Sequence, residues 1–267
     1  MSRRWGHMQR WKQVREALVS RSDALGYEAS IVVLNASAFG VPQSRERMFL
    51  VGLNRKAWNL NRVNLRAALI AELDRYREKP ASVADVVRKF GRAGSPGNPR
   101  ACSAVVTYAK SPVLRPSPYA GMLFNGAGRP LRSSGVSSTL PASMGGNKTP
   151  IVDEAEIFEG AASFVEEYHQ SLRRGEAPRT GTVPKRLRRL TVDECLAIQS
   201  FPMSYQLLGS QSSQYRQIGN AVPPRLARAI ALVGARFLEG GDSAVRSAER
   251  ASKLWLTETP LLFEGSA

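Results

Sequence analysis

The sequence predicts an α/β fold that is regular at both ends of the chain and interrupted in the middle by a long, loop-rich insertion. Three observations predict it. The first 53 residues pass from a helical apolar repeat into two short β-type runs. Residues 94–150 are dense in Gly, Pro and Ser, the composition of turns rather than of packed elements. Capping signals and a clean helical apolar face then return after residue 190.

The elements follow in order. Trp11, Val14, Leu18 and Leu25 recur at helical spacing, and Gly26 stands where a helix stops. The run Ala29–Leu34 reads as a strand. After a polar turn, Met48–Leu53 reads as a second, whose unbroken apolar character suits burial on both faces of a sheet. Asn64–Arg77 and Ser82–Phe90 have helical character. Short strand candidates follow at Ser103–Tyr108 and Met122–Phe124, and Glu154–Arg173 reads as one helix before a basic stretch. Thr191 and Glu194 have the spacing of a capping box, flanked by Leu190 and Cys195 as a hydrophobic staple. Pro223-Pro224 suits a helix start, Leu226, Ile230, Val233 and Phe237 give that helix one apolar face, and Gly240-Gly241 ends it. Residues 241–267 lack pattern and read as a tail.

Composition narrows the function. The 267 residues carry 38 Lys plus Arg against 22 Asp plus Glu, a formal net charge of +16. Such a field favours a polyanion, because each neutralised phosphate releases condensed counterions. No apolar run approaches the ~20 residues of a membrane span, and nothing at the N-terminus resembles a secretory signal. Cys102 and Cys195 form no CxxC pair, and His7 and His169 stand apart, so the expectation is no metal site and a reducing, cytoplasmic setting.

Three ordered blocks carry a more specific signal: Gly40-Val41-Pro42-Gln43-Ser44-Arg45-Glu46-Arg47 after Leu34-Asn35-Ala36, Arg189-Leu190-Thr191 through Gln199-Ser200-Phe201-Pro202, and Gln217-Ile218-Gly219-Asn220-Ala221-Val222-Pro223-Pro224. They resemble the late motifs of DNA cytosine-5 methyltransferases: the QxRxR motif, the motif that closes the recognition domain, and the final GNxV motif. Residues 48–188 fall where that family keeps its variable target recognition domain, and Ser138-Thr139-Leu140 resembles the Thr-Leu signature of such domains. Each block is weak alone; their order and spacing are what make the resemblance specific. It implies an incomplete S-adenosylmethionine-dependent methyltransferase domain, Rossmann-like, with an inserted recognition domain. Its parts would be residues 1–55 as late helix and strands, 56–185 as recognition domain, 186–240 as return segment and 241–267 as tail.

The residues themselves allow two readings at each block. Side chains alternate along an extended chain, so Gln43, Arg45 and Arg47 share one face, a solvated strand entrance or a surface for phosphate or a base edge. The resemblance puts Arg47 on the flipped cytosine's oxygen, bracing the catalytic glutamate, with Arg45 supporting the same site or the DNA backbone and Gln43 facing DNA. Gly219-Asn220 reads by itself as a turn and cap before a helix; the resemblance sets Asn220 and Val222 against S-adenosylmethionine. Thr139, Leu140 and, in the loop Gly145-Gly146-Asn147-Lys148, Lys148 are either parts of flexible loops or contacts to DNA.

The same resemblance shows what this sequence does not contain. The family's cysteine nucleophile sits in a Pro-Cys pair, its glutamate in a Glu-Asn-Val segment and its cofactor on an early glycine-rich loop; none occurs here. Cys102 follows Ala101 and Cys195 lies within the capped helix, so neither reads as the nucleophile. The expectation is a C-terminal portion that acts on double-stranded DNA with a complementary N-terminal methyltransferase subunit, in a restriction–modification setting, and is inactive alone. A truncated gene and a non-catalytic DNA-binding module are the alternatives, and RNA methylation is a further one.

Overall fold

The computed structural model describes residues 11–56 and 65–239. Helix α1 spans Lys12–Ala24 and ends as expected beside Gly26, whose φ of +83° suits a residue without Cβ. Strands β1, Tyr27–Asn35, and β2, Glu46–Asn54, pair antiparallel, Leu34 opposite Arg47, Val33 opposite Met48 and Ile31 opposite Leu50. One face of this pair is a core. Val32, Leu34 and Leu53 pack there with Leu65, Leu69 and Leu73 of α2 (Leu65–Asp74) and with Leu226, Ala229, Val233 and Phe237 of α8 (Pro224–Glu239).

The other face is open. Directly opposed residues share a side of the sheet, and on this side Val33 is 50%, Met48 48% and Leu50 40% exposed. The apolar row of α1 is open as well: Trp11, Val14, Leu18 and Leu25 are all exposed, and no residue of that helix is buried. The apolar run of β2 suits burial on both faces, and among the described residues its second face is left partly open. A cleft of about 850 Å³ lies along this side, between α1 and β1, lined by Arg15, Val19, Tyr27, Ala29, Ile31 and Val33 among others.

The chain leaves this body at a narrow neck. Gly40 N donates to Glu78 O at 2.9 Å and Glu78 N to Ala38 O at 3.0 Å. The Arg225 guanidinium meets the Glu78 carboxylate at 2.8 Å from the first turn of α8, where the chain returns.

Between these crossings lies a second body. Helix α3, Val83–Arg88, is started by a capping box of Ser82 and Asp85. Strands β3 (Tyr108–Val113) and β4 (Met122–Phe124) pair antiparallel. The strand expected at Ser103–Tyr108 lies further along than its apolar residues suggested, because the partner β4 comes to stand opposite residues 108–113, and Thr107 makes only an isolated bridge to Thr182. Strands β5 (Ile151–Asp153) and β6 (Leu187–Arg189) form a third antiparallel pair.

The single helix expected over Glu154–Arg173 is two, α4 (Glu154–Glu159) and α5 (Phe164–Arg173). Gly160, left-handed at φ +68°, ends the first. Asp153 caps both: its carboxylate accepts from Glu156 N at 3.3 Å and from Phe164 N at 3.0 Å.

Helix α6, Val192–Ile198, begins with the expected box: Thr191 Oγ1 accepts from Glu194 N at 3.1 Å, and the Glu194 carboxylate from Thr191 N at 2.9 Å. Leu190 and Cys195 are both fully buried. They share a core with Val83, Val87, Leu140, Ile157, Ile198, Tyr215 and Ile218, so residues 83–158 and 190–218 are packed into one another. A smaller aromatic cluster of Phe124, Phe164 and Tyr168 lies beneath β3 and β4, with Tyr108 packed against it.

Gly219-Asn220 is not the turn before a helix that its sequence suggested. It is the last turn of a further helix, α7, Gln211–Asn220, capped by Ser210, and Ala221–Pro223 then lead into α8. Gly240-Gly241 and the tail lie outside the described residues. No described helix is long and apolar enough to cross a membrane.

Candidate active site

The site is built around the segment that joins β1 to β2. Asn35, at the end of β1, closes this loop with one amide: its Oδ1 accepts from Ser37 N and Arg45 N, both at 3.1 Å, and its Nδ2 donates to Ser44 Oγ at 3.0 Å. The loop therefore has a fixed shape before any distant residue reaches it. Gly40 turns with φ +73°, and a Cβ there would lie 2.6 Å from Arg225 Nη1.

Residues 137–140 then lie alongside residues 42–44. Ser44 N donates to Ser137 O at 2.8 Å and Ser137 N to Pro42 O at 2.9 Å. The Thr139 hydroxyl donates to Ser44 O at 2.8 Å. The Thr-Leu signature is thus docked on the QxRxR segment by backbone pairing.

Arg45 completes the junction. Its guanidinium is buried, with Nη1 donating to Leu140 O at 2.8 Å and to Gln43 Oε1 at 3.4 Å, and Nη2 to Gly219 O at 2.6 Å. Gly219 in turn leaves no room for a side chain: a Cβ would lie 2.3 Å from Pro141 O and 2.6 Å from Ala142 Cα. The sequence's separate blocks, around residues 43, 140 and 219, meet at one cation. Burial, followed by the nearby positive charge of Arg47, lowers the pKa of Arg45 to about 10, so it remains protonated at neutral pH.

The expected site residues divide by accessibility. Arg47 stands at the start of β2, partly exposed, with Nη1 on Glu46 O at 2.7 Å; burial lowers its pKa. Thr139, Lys148, Asn220 and Val222 are exposed. Lys148 sits on a separate turn, Gly146–Lys148, whose neighbour Gly145 packs over Ser212 of α7.

Gln43 and Leu140, expected on the DNA side, are both buried. The Leu140 side chain is wholly within the core, and the Gln43 amide oxygen accepts from Arg45 and, at 3.4 Å, from Leu140 N. Arg45, expected to support the active site or the DNA backbone, is buried as well. Gln43 and Arg45 do meet, as alternation suggested, but both are buried, whereas Arg47 is partly exposed. Sequence reasoning also passed over Asn35 and Ser137, which set the geometry; Asn35 carries a signal, an Asn at a strand end with Ser two residues on, the pattern of a side chain that caps its own loop.

Neither cysteine joins this junction. Cys195 is buried against Met144, Sγ to Sδ 3.8 Å, and burial pushes its thiol well above the usual range, which leaves it protonated and unreactive. Cys102 neighbours Tyr215 and Arg189 instead. For S-adenosylmethionine, exposed Asn220 and Val222 offer an amide and an apolar contact, the two kinds of surface an adenosyl group takes.

Residues 7–233 match the model of the family described as C-5 cytosine-specific DNA methylase. The chain belongs to that family. Among curated relatives of this methylase chain is the type II methyltransferase M.AplI of Arthrospira platensis, 30% identical over 85% of this chain and 53% of that protein. The type II methyltransferase M1.HphI of Haemophilus parahaemolyticus is 26% identical over 82% of this chain and 51% of that protein. The methylase chain therefore spans about half the length of the curated relatives it matches. Two solved structures share its mixed α/β methyltransferase fold, each with a TM-score of 0.51 and 14% identity. Schizosaccharomyces pombe Dnmt2 matches 83% of this chain and 60% of its own, and a putative prophage-encoded DNA modification methyltransferase from Escherichia coli 86% and 66%.

Proposed function

We propose that this chain is the recognition and active-site-completing portion of a DNA (cytosine-5)-methyltransferase, acting on double-stranded DNA together with a complementary N-terminal half. The observation that carries the proposal is the open apolar face of β1 and β2, with a second exposed apolar row on α1. Contiguous exposed apolar surface on a sheet face, beside unpaired strand edges, marks a docking surface. The occupant that fits is the other part of the same methyltransferase sheet, since the curated relatives are about twice as long as the matched region.

In this reading the nucleophilic thiolate and the glutamate that engages the base come from the complementary half. S-adenosylmethionine, when bound, supplies the methyl group. Arg47 directs a charged donor at the flipped cytosine's oxygen, where a preorganised cation stabilises the charge that develops on the ring. Asn220 and Val222 form a wall of the cofactor site. Thr139 and Lys148 lie on the DNA side, and the net charge of +16 draws the duplex in. The setting is cytoplasmic restriction–modification, in keeping with the type II relatives.

The test is transfer of a labelled methyl group to DNA by the chain alone and with the product of a neighbouring reading frame carrying Pro-Cys and Glu-Asn-Val blocks. Transfer is expected only with both. Cytosine methylation by the 267 residues alone would refute the need for a partner. Salt-dependent DNA binding with no transfer in either arm would favour the second reading, a non-catalytic DNA-binding module, which the charge supports. RNA substrate in the same assay separates the RNA alternative.

A further inference from the structure

The buried cation at residue 45 holds segments that are far apart in sequence and belong to different tasks. Leu140 O is on the recognition segment, directly after exposed Thr139; Gly219 O is directly before exposed Asn220. Acceptors at 2.8 and 2.6 Å occupy both terminal nitrogens. Among the described residues Arg45 forms no ion pair with a carboxylate; its guanidinium is held by the neutral oxygens of Leu140, Gly219 and Gln43. A buried guanidinium without a carboxylate is costly; here two main-chain carbonyls and one amide oxygen satisfy its terminal nitrogens, while Nε has no partner among the described residues. Displacing either segment would leave that charge under-satisfied, so neither moves without the other.

We propose that Arg45 is a positioning residue: by holding the Leu140 and Gly219 carbonyls on one guanidinium, it makes the recognition segment and the Asn220 turn a single mechanical unit, so that recognition of the target sequence is transmitted to the active site. Two further features reinforce the unit. Gln43 Oε1 accepts from both Arg45 Nη1 and Leu140 N at 3.4 Å, and the missing side chain of Gly219 lets its turn close onto Pro141 and Ala142. Arg47, two residues on and a positive charge that acts on Arg45, shares the backbone segment that this unit fixes. The mechanical part stands on geometry alone; its catalytic consequence rests on the methyltransferase reading above.

The test uses the full chain with its N-terminal partner and two variants. Arg45→Lys keeps a positive charge, but an ammonium lacks the planar fork that reaches two separate carbonyls. Gly219→Ala leaves Arg45 intact and wedges the same two segments apart. For each, methyl transfer is measured on the cognate site and on sites with one base pair changed. The expected result is a fall of about 10-fold in cognate discrimination, within the range one base pair usually contributes, with non-specific DNA affinity unchanged. A residue needed only for folding would lower the active fraction equally for all sites and leave that ratio alone, so an unchanged ratio in both variants overturns the proposal.

Should both variants fail to fold, hydrogen exchange of the unaltered chain decides. The amides of Arg45, Leu140 and Ala221 are expected to share one opening free energy; separate ones overturn the proposal. Should no partner restore methyl transfer, the same exchange measurement on a chain with threonine at Val33, Met48 and Leu50, exposed positions that make none of the Arg45 contacts, tests the mechanical unit apart from the functional reading.

Discussion

Replacing Val33, Met48 and Leu50 together by threonine should free the chain from self-association and weaken its complex with the N-terminal half. Threonine is β-branched and keeps the strand preference of β1 and β2, so their pairing survives while the open face loses its apolar character. The three side chains are 50%, 48% and 40% exposed. Complete burial of such a side chain is worth roughly 1.5–3 kcal/mol, so burying the remaining half contributes about 1 kcal/mol each and about 3 kcal/mol together. That corresponds to about 100-fold in Kd. Light scattering of the isolated chain and titration with the N-terminal half read the two effects. The unaltered chain should associate or unfold without a sharp transition, and the variant should be monomeric. A monomeric, cooperatively unfolding wild type, or equal partner affinity for both proteins, would refute the docking argument.

Other outcomes follow from the same geometry. Arg47→Ala in the reconstituted enzyme should cost about 2–4 kcal/mol of transition-state stabilisation, the scale of losing a preorganised charged donor; unchanged kcat/KM would remove Arg47 from the site. Lys148→Ala should lower DNA affinity alike for all sequences and reduce the salt slope by about one counterion, and a salt-independent wild type would end the phosphate reading. At the start of α3, hydrogen bonds from the Ser82 side chain and then its backbone hold the Asp85 carboxyl below its ordinary pKa, with Arg88 and Lys89 adding to the shift. The folded pKa is the lower one, so this stabilisation is complete above the ordinary aspartate range and is lost as pH falls through the depressed value. Ser82→Ala should cost about 1 kcal/mol at neutral pH, as cap removal does, and should flatten the acid limb of a stability–pH curve. An unaltered curve would contradict the box.

What the sequence revealed and what it hid have physical causes. The box of Thr191 and Glu194 and the apolar face of α8 were legible because both are local: a cap is decided within three residues and a helical face by its own period. The meeting of Gln43 and Arg45 was legible for the same reason. Their burial was not, because the residues that cover them arrive from Ser137–Leu140 and Gly219, nearly a hundred positions away or more. Helix α7 was hidden by composition: in its polar sequence the only buried residues are Tyr215, Ile218 and Gly219, too few to give a period. The division of α4 from α5 turns on Gly160 and on Asp153 serving two helix starts, which only the tertiary arrangement brings together. Strand β3 contains Pro112, which weakens its β signal, and its partner determines where pairing occurs.

The neck at Glu78 and Arg225 has an evolutionary consequence. Because the points of departure and return are already neighbours, the intervening residues hang from the body like a handle on a cup. A handle of another length or shape fits the same two attachment points, since closing a longer loop adds entropy only slowly with length. The handle can therefore be exchanged without rebuilding the body, provided each newcomer brings one carbonyl to the Arg45 side of the join.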